Sequence, residues 1–400
     1  MELARRIERY RNKTGDDRYT DAMKQHKQLN IAKQGELNWM YTVSKCVPQE
    51  ALRDLDRAFK NFFRDRKKWG FPRFKKKGKT RDSFRLTGTI KLRDRSCKKT
   101  GKNHTCVDAC RINSSMGIQL PRLGVIRLKE VPDLADCHIQ SATVSRTADR
   151  WYVSLSVRKP DDQIELPDDP TVLGVDLGLK DLAITSDGDV YDNHRHLRSR
   201  QRKIRKLQKS LARKQYRSNN WYKAKRKLAV AHKKIADARS DVLHKMTTEM
   251  AENYDIVVIE DLSVSNLMKN RKMSRSIADV AWSEIRRMLE YKANQLVIVP
   301  RFFPSSKLCS ECWYRKEDLK LSDRVFICDR CGMQKDRDLN AARNLELYGL
   351  MFLISPTVAD SWSETINACG EGVRPLDAFQ LLIEGADDGG DLCEAGSQHV

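Results

Sequence analysis

Four cysteines carry the sharpest chemical pattern in this 400-residue chain. Cys309, Cys312, Cys328 and Cys331 read C-x2-C, fifteen residues, then C-x2-C. Each C-x2-C turn offers two sulfurs to one ion, and four converging thiolates satisfy tetrahedral Zn²⁺. The flanks, SSKLCSEC and CDRCGMQ, are polar and turn-forming. No histidine or carboxylate replaces a sulfur, so the expected zinc site is structural, and a module this small depends on its metal to fold. A second group, Cys97, His104, Cys106 and Cys110, has irregular spacing in a lysine-dense loop and fits free thiols better than a metal site.

The second constellation is carboxylate. Asp176 follows the apolar residues Val172, Leu173 and Val175, Glu260 ends the run IVVIE, and Asp338 opens DLNAARNLELYGL. An acid at the end of a buried strand is costly unless something compensates it. Three such acids in one α/β region suggest a site for Mg²⁺, a hard cation that takes carboxylate oxygens and substrate phosphate. Paired ions can activate a water and stabilise the leaving oxygen of a phosphodiester. Spacing does not separate the three from their neighbours Asp181, Asp261 and Asp336.

The elements that must position these groups are legible in outline. Residues 16–70 read as helical: Leu52, Leu55, Phe59, Phe62 and Phe63 form an apolar stripe opposite Arg53, Arg57, Lys60 and Arg64. Residues 82–160 alternate apolar and polar with Gly and Pro punctuation, and RTADRWYVSLSV predicts a hairpin with Val153, Leu155 and Val157 on one face. From residue 171 the order is strand, strand, strand, long helices, strand, helix (277–293), strand, helix, an α/β pattern with a mixed sheet. Leu228, Ala231, Ile235, Ala238 and Val242 make a heptad-like seam, so two helices should pair as an antiparallel hairpin about the break near Ser218. YDIVVIEDL is too apolar for an edge strand.

Lys and Arg total 76 against 54 Asp and Glu, for a net charge of +22, which points to a polyanionic partner. No apolar run is long enough for a membrane span and no leader pattern opens the chain, so a reducing, cytoplasmic setting without a membrane partner is expected. The cationic runs with Lys75, Lys76, Lys77 and Lys79, and with Arg200, Arg202, Lys203, Arg205, Lys206 and Lys209, are candidate nucleic-acid contacts. Beyond residue 350 the sign reverses, and ADDGGD and its neighbours cannot build a core, so 351–400 is expected to be an acidic, disordered tail.

The segments GVDLGLKDLAITSDG, IVVIEDLSVSNLMKNRKMSRSIADVAWSEIRRMLEYKA, RFFPSSKLCSEC and CDRCGMQKDRDLNAARN together resemble TnpB, the OrfB-type transposase family related to type V CRISPR effectors. EALRDLDRAFKNFFRDRKKWGFPRFKKKG and VSRTADRWYVSLSV resemble that family's N-terminal half, and the likeness spans about residues 45–350. It implies an α/β RNase H-like (RuvC) nuclease domain with an inserted zinc ribbon, behind N-terminal helical recognition and β-rich wedge domains. Motif by motif, the family's acids fall on Asp176, Glu260 and Asp338, with Mg²⁺ as catalytic ion, and its zinc ligands on the four cysteines above. The implied layout is a helical recognition-type domain at 1–80, a wedge-type domain at 81–165, RuvC at 166–300, ribbon at 301–335, the last RuvC helix at 336–350 and the tail beyond.

The implied activity is RNA-guided cleavage of double-stranded target DNA, with a guide RNA derived from the transposon end. A non-cleaving RNA-guided DNA-binding regulator would lack one of the three acids, and none is missing. A guide-independent cut-and-paste transposase accounts less well for the motif series and for the basic hairpin between the first two acids. Against the family pattern, the start lacks an opening strand and a Pro-containing aromatic segment, YKANQLVIV is short, and the loop near residues 95–110 reads as an insertion.

Overall fold

The stretch after Cys46 forms a helix because its apolar residues recur at three- and four-residue spacing. Pro48 falls in its first turn, where a missing N–H costs little. In the computed structural model, which describes residues 8, 22–73, 75, 80–94, 116–130, 132, 134, 137–158, 166–320 and 322–354, this helix is α2 (Cys46–Arg64), preceded by α1 (Ala22–Lys33). The expected acidic tail lies almost wholly outside the described residues. The chain divides into two units, residues 1–162 and 163–400.

In the first unit the expected stripe on α2 is narrower than its periodicity suggests. Phe59 is buried, whereas Leu52, Leu55 and Phe62 are half-buried and Phe63 is exposed. Phe71, beyond the helix end, returns to pack edge-on against Phe59 and Phe62 at 5.6 and 5.2 Å, so the aromatic rings shield one another. Six strands follow: β1 (Ser83–Thr87), β2 (Lys91–Asp94), β3 (Met116–Leu120), β4 (Gly124–Arg127), β5 (His138–Thr147) and β6 (Arg150–Arg158). They form two antiparallel sheets, ordered β1-β5-β6 and β2-β3-β4. Val153, Leu155 and Val157 alternate with exposed neighbours as period two requires.

The second unit is built on a five-stranded sheet of β7 (Val172–Asp176), β8 (Asp181–Thr185), β9 (Val190–Asp192), β10 (Ile256–Glu260) and β11 (Gln295–Val299), in the order β11-β10-β7-β8-β9. Strands β7, β10 and β11 are parallel, while β7, β8 and β9 run antiparallel. The apolar run of β10 thus lies inside the sheet, not at its edge.

Alternation sorts the side chains of these strands into two cores. Leu173, Val175, Val257 and Ile259 pack against Leu243, Met246 and Met250 of α4 (Asn219–Asn253). Val172, Ile256 and Val258 face the other way, toward the C-terminal helix (Arg337–Ile354) and its Leu345, Tyr348 and Met351. Helix α3 (His196–Ala212) pairs with α4 as the expected hairpin, with Ile204 and Ile235 buried. Ser218 caps α4 by accepting from the Trp221 N–H at 3.1 Å.

The single helix expected over 277–293 is instead broken. After the one-turn α5 (Val264–Leu267), the chain forms α6 (Ser274–Val280) and α7 (Trp282–Lys292), separated by Ala281 at φ +59°. The kink keeps Ile277, Val280, Trp282, Ile285, Met288 and Leu289 all in one core, which a straight helix of that length would not. Strands β12 (Val325–Ile327) and β13 (Gln334–Asp336) then form a small antiparallel pair before the last helix, α8.

Gly174 of β7 sets how closely α8 lies on the sheet. A Cβ there would sit 2.0 Å from the Ala342 carbonyl oxygen and 2.4 Å from the Glu346 nitrogen, and neither backbone atom can swing aside. Gly174→Ala should therefore lose about 3 kcal/mol or more, read as a lowered unfolding midpoint. Gly35→Ala, where nothing lies within 4 Å, should stay within about 0.5 kcal/mol of the parent. Equal behaviour of the two would refute the tight helix–strand approach.

Candidate active site and metal centre

Strand register brings the first two acids together. Val175 is paired with Ile259 in the parallel β7–β10 ladder, so Asp176 and Glu260 are the next residues on adjacent strands. Period two puts Asp176 on the same face as Gly174, and Glu260 on that of Val258, which is the α8 face. Gly349 approaches Val172 and Val258, and Ala342 approaches Gly174, so α8 runs opposite to β7. Two residues onward from Gly174 is Asp176, and one turn back from Ala342 is Asp338. The third acid thus arrives from the first turn of a helix.

The site is electrostatically costly. Burial, then the Glu260 and Asp338 carboxylates, push the Asp176 carboxyl up to about 8, against the opposing pull of Arg337. Burial also raises Glu260, partly offset by the Ser305 hydroxyl that donates to its Oε1. Asp338 is held by Arg337 at 2.8 Å and by Arg324 at 3.6 Å.

The competing acids have other partners. Asp181 is ion-paired with Lys180 at 2.9 Å. Asp261 binds Arg286 at 3.0 Å and also Arg301. Asp336 caps α8, accepting from the Asp338 and Leu339 N–H groups at 2.9 and 3.1 Å. All three thus have local partners, and Asp336 also lies close enough to Asp176 to help raise its carboxyl.

Among the described residues the four cysteines are the one group of three or more candidate ligands whose donor atoms all lie within 4.8 Å of one another. Cys309 Sγ is 3.7 Å from Cys331 Sγ, and Cys312 Sγ is 3.5 Å from Cys328 Sγ. Four sulfurs at 2.3 Å from one tetrahedral ion would be about 3.8 Å apart, so the cage has the size zinc needs. The two knuckles match in their backbone: Trp313 after Cys312 and Gly332 after Cys331 both have positive φ, at +57° and +73°. The Met333 N–H, accepted by Cys331, lowers that thiol, whereas burial and the neighbouring sulfurs raise Cys309 and Cys312, so four thiolates at this spacing need a cation between them. Cys97, His104, Cys106 and Cys110 lie outside the described residues.

A clamp that the sequence did not reveal joins the cysteine module to the acids. Asn340 and Asn344 of α8 are fully buried. Asn340 donates to the Leu308 carbonyl at 2.6 Å and accepts from the Ser310 N–H at 3.0 Å. Asn344 donates to the Ser305 and Leu308 carbonyls, both at 2.7 Å. The loop leading into Cys309 is therefore fixed to the helix that carries Asp338, and its Ser305 holds Glu260. Asparagine in a helix is ordinarily an unfavourable residue, and two at i, i+4 facing inward were the available signal.

The expected cations are partly accounted for. Arg202, Lys203, Arg205, Lys206 and Lys209 line the exposed side of α3, and Lys75 is exposed. Arg200 reaches across the hairpin to the Lys234 carbonyl at 3.1 Å. Lys76, Lys77 and Lys79 lie outside the described residues. Sequence reading missed the cations nearest the acids. A cleft of about 330 Å³ is lined by Lys180, Arg324, Asp336 and Asp338. It shares Lys180 and Arg324 with a second cleft, of about 530 Å³, that adds Arg195, Arg198, Lys272 and Arg275. These come from separate parts of the chain, so no run announces them. No helix among the described residues is long and apolar enough to cross a membrane.

Comparison with known proteins points the same way. Residues 154–271 match a family described as “Probable transposase”, and residues 282–345 match “Cas12f1-like, TNB domain”. A “Putative RNA-guided DNA endonuclease” of Streptomyces pristinaespiralis is 37% identical over 345 residues, covering 85% of this chain and 77% of that protein. “Putative RNA-guided DNA endonuclease InsQ” of Escherichia coli is 33% identical over 365 residues, covering 85% and 81%.

The raised Asp176 carboxyl has a measurable consequence. Without divalent ions the native state keeps its proton up to about pH 8, whereas an unfolded aspartate releases it near 4. The native state then binds the extra proton across that window, so this group's contribution to stability falls as pH rises from about 4 to about 8 and is level above it. In buffer without Mg²⁺ or chelator, which leaves the cysteine site intact, Asp176→Asn should gain on the parent as pH is raised, by a few kcal/mol at the upper end, read from denaturation midpoints. A difference independent of pH would mean that the carboxyl is not raised.

Proposed function

The chain belongs to the TnpB (OrfB-type) transposase family, and we propose that it is a transposon-encoded, RNA-guided DNA endonuclease that cuts its target at Asp176, Glu260 and Asp338. The observation that carries this reading is the convergence of two strand-end acids and one helix-first-turn acid on one face of the sheet. The strand order, with an antiparallel β9-β8-β7 side and a parallel β7-β10-β11 side, supports an RNase H-like (RuvC) domain. Residues 1–80 and 81–165 are then the recognition and wedge domains, and the TNB match over 282–345 supports a cysteine module inserted before the last RuvC helix.

Three carboxylates are hard oxygen donors, the set that suits Mg²⁺. The desolvation and mutual repulsion that hold Asp176 protonated are what a bound dication would relieve. Mg²⁺ bound there supplies Lewis acidity and charge neutralisation for phosphodiester hydrolysis. The protein's own groups prepare the site. Ser305 orients Glu260, and Asp336 fixes the first turn of α8 and so the backbone of Asp338. Lys180, Arg195, Arg198 and Arg324 line the adjoining clefts, where they can grip phosphates on either side of the scissile bond. The exposed cations of α3 and Lys75 hold guide and target backbones, whose pairing reads the sequence.

We assign Zn²⁺ to the four cysteines as a structural ion. Through the Asn340 and Asn344 clamp, that ion supports the acid-bearing helix as well as its own loops. Cys309→Ala should abolish stoichiometric zinc and lower the unfolding midpoint, measured by metal analysis and calorimetry. Unchanged metal content would remove the ribbon.

Co-expression with the native downstream flank tests the function. One discrete copurifying RNA ending at the element boundary, and Mg²⁺-dependent cutting of matched duplex DNA by this complex, are expected. Asp176→Ala should retain the RNA and DNA but lose cutting by about a thousandfold or more, equivalent to about 4 kcal/mol of transition-state stabilisation. Cutting without the RNA would favour a guide-independent transposase. RNA and DNA binding without cutting by the parent would favour a regulator.

A further inference from the structure

The hairpin of α3 and α4 carries more charge than folding requires, and its tip carries rings that the core does not use. Between Asn193 and Ala236 there are seventeen Lys and Arg and no Asp or Glu. At the turn between the helices, Tyr216 and Tyr222 are 63% and 52% exposed. Both rings stand edge-on to Trp221, at 5.1 and 5.2 Å and interplanar angles of 76° and 84°. Arg217 lies over Tyr216 at 5.2 Å and Lys225 over Trp221 at 5.1 Å. Ser218 fixes the turn by capping α4 through the Trp221 N–H.

Exposed aromatic rings ordinarily cost solubility, and a helical turn needs none of them. Their edge-on packing holds each ring in place; Arg217 lies over one side of Tyr216, and both tyrosines remain more than half exposed. Fixed aromatic faces framed by cations, with no acid in the segment, fit a polyanion whose flat groups are unpaired. A duplex hides its base faces by stacking, so it would meet only the cations.

We propose that the tip formed by Tyr216, Trp221 and Tyr222 is a stacking platform for unpaired bases of RNA. This rests on the RNA-guided reading above and adds a contact to it. The location argues for the strand that is not cut. Leu243 marks where α4 enters the sheet core, and Trp221 is 22 residues earlier, about 33 Å along the helix axis. A nucleotide stacked at the tip is therefore far from the acids, so the platform suits a guide that must stay bound while DNA is processed. Asp279 anchors the base of the hairpin by accepting from the Leu197 N–H at 3.0 Å and from Arg239 at 2.6 Å, so the tip projects from a fixed support.

The test uses the full-length protein with three labelled probes: oligoadenylate RNA, oligodeoxyadenylate and a mixed-sequence RNA duplex. Binding is followed by fluorescence anisotropy over a range of salt. Tyr216→Leu with Tyr222→Leu keeps bulk and removes both exposed rings, leaving the half-buried Trp221 in place. It should weaken oligoadenylate binding about tenfold or more. Duplex affinity and the salt dependence of binding should not change, because the phosphate contacts are intact. Tyr216→Phe with Tyr222→Phe should bind oligoadenylate as the parent does.

Three results would overturn the platform: no loss with the leucine variant, an equal loss on the duplex, or parent affinity for oligodeoxyadenylate above that for oligoadenylate. A parent protein that binds neither RNA probe would end the guide-RNA reading as well. Parent binding that the leucine variant leaves unchanged ends the platform alone.

Discussion

The approach of α8 to β7 at Gly174 is the contact on which the second unit depends. Because no side chain stands between them, helix backbone and strand backbone meet, and the helix axis is fixed over the sheet. That single approach aligns three things at once. It buries Leu345, Tyr348 and Met351 against the strands. It also brings Asp338 to the end of β7 where Asp176 projects, and it turns Asn340 and Asn344 toward the loop that leads to the cysteines. A bulkier residue would displace all three together, since interiors at native packing density transmit such shifts.

The clustering of acids runs against the stability of the fold, and the surroundings are arranged to limit the cost. Asp176 is held protonated by burial and by its neighbours. Glu260 takes a hydroxyl donor from Ser305, and Asp338 takes two guanidinium partners. One of those, Arg324, comes from the cysteine module beside β12, so the module contributes charge as well as shape to the acid centre. Asp261 and Asp336, near in sequence to the critical acids, are tied to arginines or to a helix N-terminus instead. What sets the acid centre apart is therefore the buried Asp176, whose carboxyl is strongly raised beside the Glu260 and Asp338 carboxylates, a perturbation of the kind that gathers at functional sites.

The cysteine module is tied by hydrogen bonds to the helix that packs on the five-stranded sheet. A four-sulfur cage of the size zinc needs sits at the end of a loop clamped by two buried asparagines, and the same loop supplies Ser305. Such buried hydrogen bonds are costly to break: loss of Asn344 takes away the donor to the Ser305 carbonyl, and loss of both asparagines takes away both donors to the Leu308 carbonyl. Order in the module is therefore passed to the acids through hydrogen bonds, a more specific link than hydrophobic contact.

The sequence by itself determined what depends on local pattern. C-x2-C spacing, apolar runs of five residues and the apolar heptad-like seam each have a meaning set by nearest neighbours, so the four cysteines, strands β7 and β10 and the hairpin could all be read directly. The family motifs selected Asp176, Glu260 and Asp338 where spacing left Asp181, Asp261 and Asp336 open. Local pattern also misled in two places. The helix expected over 277–293 breaks at Ala281, because two apolar faces had to reach one core. The stripe of α2 is narrower than expected: of its five residues only Phe59 is buried, and Phe63 stays exposed. Only the tertiary structure decided which acids share a face, that Asp336 is a cap, that Asn340 and Asn344 form a clamp, and that Lys180, Arg195, Arg198, Lys272, Arg275 and Arg324 line the same clefts. The Asp336 cap is local to the start of α8, but the others depend on strand register and on the crossing of α8 over the sheet. The crossing joins residues 168 positions apart (Gly174 and Ala342), the β7–β10 register residues 84 apart and the clamp residues 30 to 39 apart, so no short window of the sequence contains them.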